Sequence, residues 1–291
     1  MRVDDKLLDK IKALIDMTKP RQLTLLLVTM YGAYFAAGGA LDLTLLALLT
    51  ITGFGSVGGV TALNMYLEKD IDSIMNRTRK RPLPSRKLRD EEALAGILAM
   101  ILIGITAAAM INRYVAFTVL AGLYFDIVAY TELTKRSTAW NLVLGSFAGA
   151  MPALGGWAAG EGAITLGGII LAGIVFFWQP MHVSFLAYYF YEDYMRAGIP
   201  TVPSVLSTRA FSLFLAASIA TVPMLLWLFM YIEGYGLVTS IITSLMALQA
   251  ILKVFSFSRH PSKSTALDMI KFASPLIAIA FLGIPIERIF L

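Results

Sequence analysis

Nine apolar runs, at 23–40, 43–66, 92–111, 114–132, 140–159, 164–190, 210–231, 236–255 and 271–289, dominate this 291-residue chain. A helix needs ~20 apolar residues to cross a hydrocarbon core of ~30 Å, and each run is about that long. Soluble domains average roughly 45–50% apolar and about 25% charged residues; here the values are 58% and 15%. The expected fold class is an all-α integral membrane protein with about nine transmembrane helices, forming one domain over 1–291. Such a composition excludes a disordered chain, a disulfide scaffold and a nucleic-acid partner. With no cysteine, there is no thiolate metal site and no cysteine nucleophile. His182 and His260 are the only histidines, so a bound metal takes oxygen ligands, as magnesium or calcium does.

Basic residues set the expected orientation. Of the 24 Lys and Arg residues, only Arg113 and Arg288 fall at the ends near 41, 112, 161, 233 and 288. The other 22 lie in the N-terminal segment, 69–89, 135–136, 196–209 and 253–271. That side is expected to be cytoplasmic, with the N-terminus inside and the C-terminus outside. The segment 1–22 lacks the short apolar core and small-residue cleavage site of a removable signal peptide. It reads as an interfacial helix lying on membrane lipid, with Leu7, Leu8, Ile11, Leu14 and Ile15 on one face.

Two loops on the basic side, 64–91 and 189–209, are longer than topology requires. In the first, Asn64, Glu68 and Asp72 stand four residues apart. On one helix that spacing gives a single stripe of oxygen-bearing side chains, suited to magnesium completed by waters and a bound phosphate. Balancing the basic loop is the plainer role for Glu68 and Asp72. Arg77, Lys80 and Arg81 follow at once, and Lys135 lies on the same side. Alone, such a run anchors anionic headgroups; beside the acidic stripe it describes a diphosphate site. In the second loop, Tyr189, Glu192, Asp193 and Arg196 have one-stripe helical spacing. Asp193 with Tyr189 is the candidate for a second metal position, while Glu192 and Arg196 suit a surface pair. Inside the membrane three polar residues need a reason: Asn112, structural near a short outer turn, Asp126, which is costly in lipid without a cavity or a partner, and His182. An interhelical histidine is the commoner explanation of the last; a substrate or haem contact is the sharper one.

These residues also carry a resemblance. NMYLEKDIDSIMNRTRKRPL at 64–83 resembles the first acid-rich motif of the UbiA superfamily of intramembrane prenyltransferases. TKPRQ at 18–22, YTELTKRST at 130–138, NLVLGSFAGAMPALGGWAAG at 141–160 and DYMRAGIPTVPSV at 193–205 are similar to its haem-farnesylating branch, in the same order. The resemblance implies nine helices around a central cavity capped by the two loops. It also implies magnesium-dependent transfer of a farnesyl group from farnesyl diphosphate to a vinyl group of haem B. Asn64, Glu68, Asp72, Tyr189 and Asp193 would then be catalytic, with Asn64, Glu68, Asp72 and Asp193 holding the metal. Arg77, Lys80, Arg81 and Lys135 would hold the diphosphate, and His182 would meet the acceptor. The chain departs from the family pattern in having Glu68 at the middle carboxylate and Met181, Val183 and Ser184 around the histidine. Other acceptors of the same chemistry are a quinone precursor and a glycerol-phosphate lipid. A secondary transporter would place its ionisable residues near the bilayer midplane, whereas here they gather at one face.

Overall fold

The computed structural model describes residues 3–290, and they are helical almost throughout. After α1 (Val3–Met17) and α2 (Pro20–Ala36) comes a long helix of three parts: α3 (Leu43–Thr52), a π-helical segment (Gly53–Gly58) and α4 (Gly59–Leu67). The short α5 (Lys69–Ile74) precedes α6 (Asp90–Ile111). Then come α7 (Arg113–Leu123), continued by a π-helical segment (Tyr124–Thr134), α8 (Asn141–Glu161) and α9 (Leu166–Tyr189). Two more short helices, α10 (Tyr191–Arg196) and α11 (Val202–Val205), lead into α12 (Thr208–Glu233), α13 (Leu237–Arg259) and α14 (Lys263–Phe290).

Eight of the described helices are long and apolar enough to cross a membrane. The seventeen-residue α2 packs among them as a ninth. At ~1.5 Å per residue α2 is slightly shorter than the bilayer core. It starts at Pro20, ahead of the expected run at 23–40, because proline suits the first turn of a helix. The protein is a multi-pass membrane protein. Large apolar side chains such as Leu102, Met110, Leu245 and Leu252 lie exposed on its outer surface, where lipid is the solvent.

Small residues let the helices approach closely. A Cβ on Gly156 of α8 would come within 1.9 Å of the Met30 carbonyl on α2. Gly55 lies against the backbone of Gly104 in the same way. Helix ends are satisfied by side chains. The Asn112 carboxamide accepts the N–H groups of Tyr114 and Val115 at 2.9 Å and donates to the Ala158 carbonyl. Glu287 on α14 accepts the Val238 and Thr239 N–H groups, capping α13 from a neighbouring helix.

Two expected stripes are broken. Glu68 leaves helical geometry at φ −101°, ψ 10°, so Asn64 and Asp72 stand on different helices, α4 and α5. Phe190 likewise separates Tyr189 on α9 from Asp193 on α10. A kinked chain folds each acid back over the bundle end, which a straight helix would carry away from it. Glu192 is exposed and pairs with Lys263 at 2.9 Å, while Arg196 turns to Asp193 at 3.3 Å. The expected Glu192–Arg196 pair does not form among the described residues, because on α10 Arg196 is taken by the buried Asp193 and Glu192 by Lys263.

Candidate active site

Four polar residues from the two loops are sunk into the end of the bundle: Asn64, Glu68, Asp72 and Asp193, 6%, 5%, 3% and 7% exposed. Buried carboxylates require partners, and each has one. Glu68 is ion-paired with Lys135, the residue that follows the second π-helical segment. The Arg81 guanidinium meets both oxygens of Asp72, at 2.7 and 2.6 Å. Asp193 accepts the backbone N–H groups of Asn76 and Arg77, at 3.1 and 3.0 Å, and so joins the second loop to the first. Asn64 donates its amide N–H to Thr131 Oγ1 at 2.6 Å, leaving its carbonyl oxygen as the atom available to a ligand. That threonine hydroxyl donates in turn to the Asp126 carbonyl at 2.7 Å.

The expected cations divide. Arg81 and Lys135 are within the cluster. Arg77 lies over the rings of Phe190 and Tyr194, at 4.7 and 5.7 Å. Lys80 is exposed and reaches none of the acids. Burial works against the charge of Lys135, yet Tyr130, Glu68 and Tyr194 around it hold its pKa above the ordinary lysine value. Outside the cluster, Asp70 takes a two-pronged bond from Arg136, which lowers its pKa.

One member of the cluster escaped the sequence reading. Lys19 adopts a left-handed backbone at φ 49°, ψ 70°, a region that L-residues rarely occupy. This conformation turns the chain from α1 into Pro20. Lys19 makes no ion pair among the described residues, and its pKa is lowered to about 8 by burial and by the charges of Arg81 and Lys135. The available signal was the order Lys19-Pro20 in TKPRQ, a charge at the first turn of an apolar helix. By itself it reads as one more basic residue on the basic side. Tyr130 and Tyr194, which flank Lys135, were missed for a similar reason.

Next to this cluster the bundle holds a chamber of about 120 Å³, partly open to the outside. Its walls include Leu26, Met30, Val57, Val119 and Leu123, together with both π-helical segments. Thr61, one helical turn from Asn64, and Gln22, three residues from Lys19, mark the end next to the cluster. A largely apolar chamber with a charged cluster beside one end suits a molecule with an apolar chain and an anionic head.

His182 is not part of the chamber wall. Its ring stacks on Trp178 at 5.1 Å, and its buried Nδ1 has no hydrogen-bond partner among the described residues. Gln179, one turn away, does line the chamber. Tyr189 stands edge-on to Phe190, and Tyr188 packs against Phe257, away from the cluster.

Among the described residues, no three His, Cys, Asp or Glu side chains converge to form a complete metal site. Magnesium does not need one, since it binds through one or two carboxylates and takes its other ligands from waters and substrate phosphates. Buried, oxygen-only Glu68, Asp72, Asp193 and Asn64 suit that ion. The cations now balancing these acids are those that a diphosphate attracts.

The sequence matches the UbiA prenyltransferase family over residues 25–274. It is 57% identical to a protoheme IX farnesyltransferase of Aeropyrum pernix, over 97% of this chain and 93% of that protein. Identity to the protoheme IX farnesyltransferase of Archaeoglobus fulgidus is 38%, over 95% and 98%. Among solved structures, the fold is similar to digeranylgeranylglyceryl phosphate synthase, with a TM-score of 0.79 and 18% identity over 97% of this chain and 99% of that one. It is also similar to a UbiA homologue of Archaeoglobus fulgidus bound to GPP and Mg2+, with a TM-score of 0.67 and 15% identity over 94% and 99%.

Proposed function

Because this chain belongs to the UbiA prenyltransferase family, we propose that it transfers a farnesyl group from farnesyl diphosphate to a vinyl group of haem B, giving haem O. One observation carries the chemistry: the buried cluster of acids and cations adjoins the Gln22–Thr61 end of a largely apolar chamber. The choice of acceptor rests on the relatives that match nearly the whole chain.

The diphosphate lies at that end, against Lys19, Arg81, Lys135 and the Arg77 segment, with the farnesyl chain in the chamber. Lys80, exposed beside Arg81, meets the head from the solvent side. The bond between the first farnesyl carbon and oxygen breaks, and its electron pair leaves with the diphosphate. Fixed positive charge at the leaving oxygens stabilises that separation most as it develops. Glu68 and Asp72 with the Asn64 oxygen, and Asp193 at a second position, would hold magnesium, which would further neutralise the departing diphosphate. Tyr130 and Tyr194 present ring faces beside the cluster, where a cation is favoured; Tyr189 borders the second loop. The porphyrin vinyl group attacks the allylic cation, and water completes the hydroxyethylfarnesyl arm. His182 is the acceptor contact in this scheme, since no group among the described residues uses its Nδ1.

The cluster side faces the cytoplasm, in keeping with its basic loops. Leu7, Leu8, Ile11 and Ile15 of α1 are exposed, while Ala13 and Met17 pack inward. The helix therefore lies on the membrane surface with that apolar face in lipid.

The test is incubation of the purified protein in detergent with farnesyl diphosphate, magnesium and haem B, followed by mass spectrometry of the extracted pigment. Farnesylated, hydrated haem is expected. Prenylation of a quinone precursor or a glycerol-phosphate lipid, with haem untouched, would overturn the choice of acceptor.

A further inference from the structure

We infer that Asp126 is the base that takes the proton from the water added to the acceptor. The inference rests on the haem-farnesylating reading above and concerns a step that leaves the acid cluster unused.

Asp126 lies within the long helix Arg113–Thr134 and lines the chamber. A carboxylate inside a membrane-spanning helix is costly and is functional by default. No hydrogen bond or ion pair from the described residues reaches its side chain; only its backbone carbonyl is engaged, by Thr131. Lys19, Lys135 and Glu68 are the charged groups near enough to act on it, which places it at the cluster end of the chamber. Local helix geometry supports the position. The eleven-residue segment Tyr124–Thr134 is π-helical, with Thr131 and Thr134 hydroxyls bonded to the carbonyls five residues back. Such widened turns recur at functional sites.

A second, independent feature points to a polar guest in the same chamber. Thr52 Oγ1 and Gln179 Oε1 are buried without partners among the described residues, and both residues line it. Thr52 is only 3% exposed. Buried polar atoms are normally satisfied, and a buried water typically makes 2–4 hydrogen bonds. A chamber for the farnesyl chain alone needs none of these groups. One that also admits the reacting water needs them.

The step balances. Carbon–oxygen cleavage sends an electron pair off with the diphosphate, and the vinyl π pair forms the new carbon–carbon bond. The positive charge passes to the vinyl carbon next to the porphyrin. A water lone pair closes that centre, and one proton leaves the water oxygen for the Asp126 carboxylate. Without Asp126 to hold and deprotonate the water, the same cation loses a proton from the adjacent carbon to the departed diphosphate and gives an alkene lighter by one water.

The experiment compares wild-type protein with Asp126→Asn and Asp126→Glu, using farnesyl diphosphate, magnesium and haem B. Farnesyl diphosphate binding and thermal midpoint are measured alongside. Loss of a general base typically costs 10²–10⁴-fold, so hydrated product is expected to fall about 100-fold in Asp126→Asn. The lighter alkene should become the larger share, diphosphate binding should hold, and Asp126→Glu should recover part of the hydrated product. Hydrated product at the wild-type rate in Asp126→Asn would overturn the role. Loss of both products with binding intact would also overturn it, because Asp126 would then act before water adds. Failure of the haem reading looks different, since the wild-type protein itself would then yield no prenylated haem.

Discussion

The Asp193 carboxylate accepts the backbone N–H of Arg77 at 3.0 Å, across 116 residues of sequence. With the matching bond from Asn76 at 3.1 Å, it fixes the two loops to each other at the end of the bundle. Hydrogen bonds to a charged group contribute roughly 1.5–3 kcal/mol each. Asp193→Ala should therefore leave the loops unjoined, with a faster proteolytic cut in 75–89 and turnover down at least about 100-fold. Asp193→Asn, which keeps one acceptor oxygen, should restore part of the protease resistance and little of the turnover. Limited proteolysis run beside product assays checks both.

Glu68 and Lys135 form a nearly buried pair, with side chains 6% and 13% exposed. Removing one partner of such a pair costs about 3–5 kcal/mol, whereas removing both together is close to neutral. Lys135→Met should thus lower the thermal midpoint sharply, and Glu68→Gln with Lys135→Met should recover it. Neither variant should recover turnover, because both residues serve the diphosphate. A double-mutant cycle read in stability and in activity separates these outcomes.

Lys19 titrates at about 8, against an ordinary 10.5. Between those values the unfolded chain holds a proton that the folded chain has lost, so this group adds stability as the pH rises through that window. Binding runs the other way, because the diphosphate needs the positive charge. Affinity of the free protein for farnesyl diphosphate should fall about tenfold between about pH 7 and about pH 9. Lys19→Met should bind weakly at both and show a flat profile. Calorimetric titration at the two pH values checks this; an unchanged wild-type profile in Lys19→Met would remove Lys19 from the site.

Gly122 lines the chamber, and a Cβ there would make ordinary contact with Met151 at 3.4 Å. Gly122→Ala should be tolerated. Gly122→Leu fills the path of the chain, and a few methylenes' worth of misfit changes discrimination by about 10–200-fold. The ratio of kcat/KM for farnesyl over geranyl diphosphate should fall by that order.

The runs that cross the membrane were legible because lipid leaves a continuous apolar signal, and Asn64, Glu68 and Asp72 were legible from their spacing. That spacing carried no sign of the break at Glu68, which separates α4 from α5. Pairings such as Asp193 with Asn76, or Glu68 with Lys135, join residues far apart in sequence and have no local pattern. Lys19 stayed hidden because its left-handed turn joins α2 to an α1 that docks on α4 and α6, contacts with no local sequence pattern. Asp126 stood out from its apolar run, but its relation to the chamber required the fold.

The central claim is that the buried acids beside the chamber are the site of diphosphate departure. Its most direct measurement is diphosphate release from farnesyl diphosphate, with magnesium and haem B, by the wild-type protein and by Asp72→Asn. Removing one preorganised charge-stabilising group typically costs 10²–10³-fold, so release by Asp72→Asn should fall about 100-fold or more with the protein still folded by thermal midpoint. Release at the wild-type rate from a folded Asp72→Asn protein would contradict the claim.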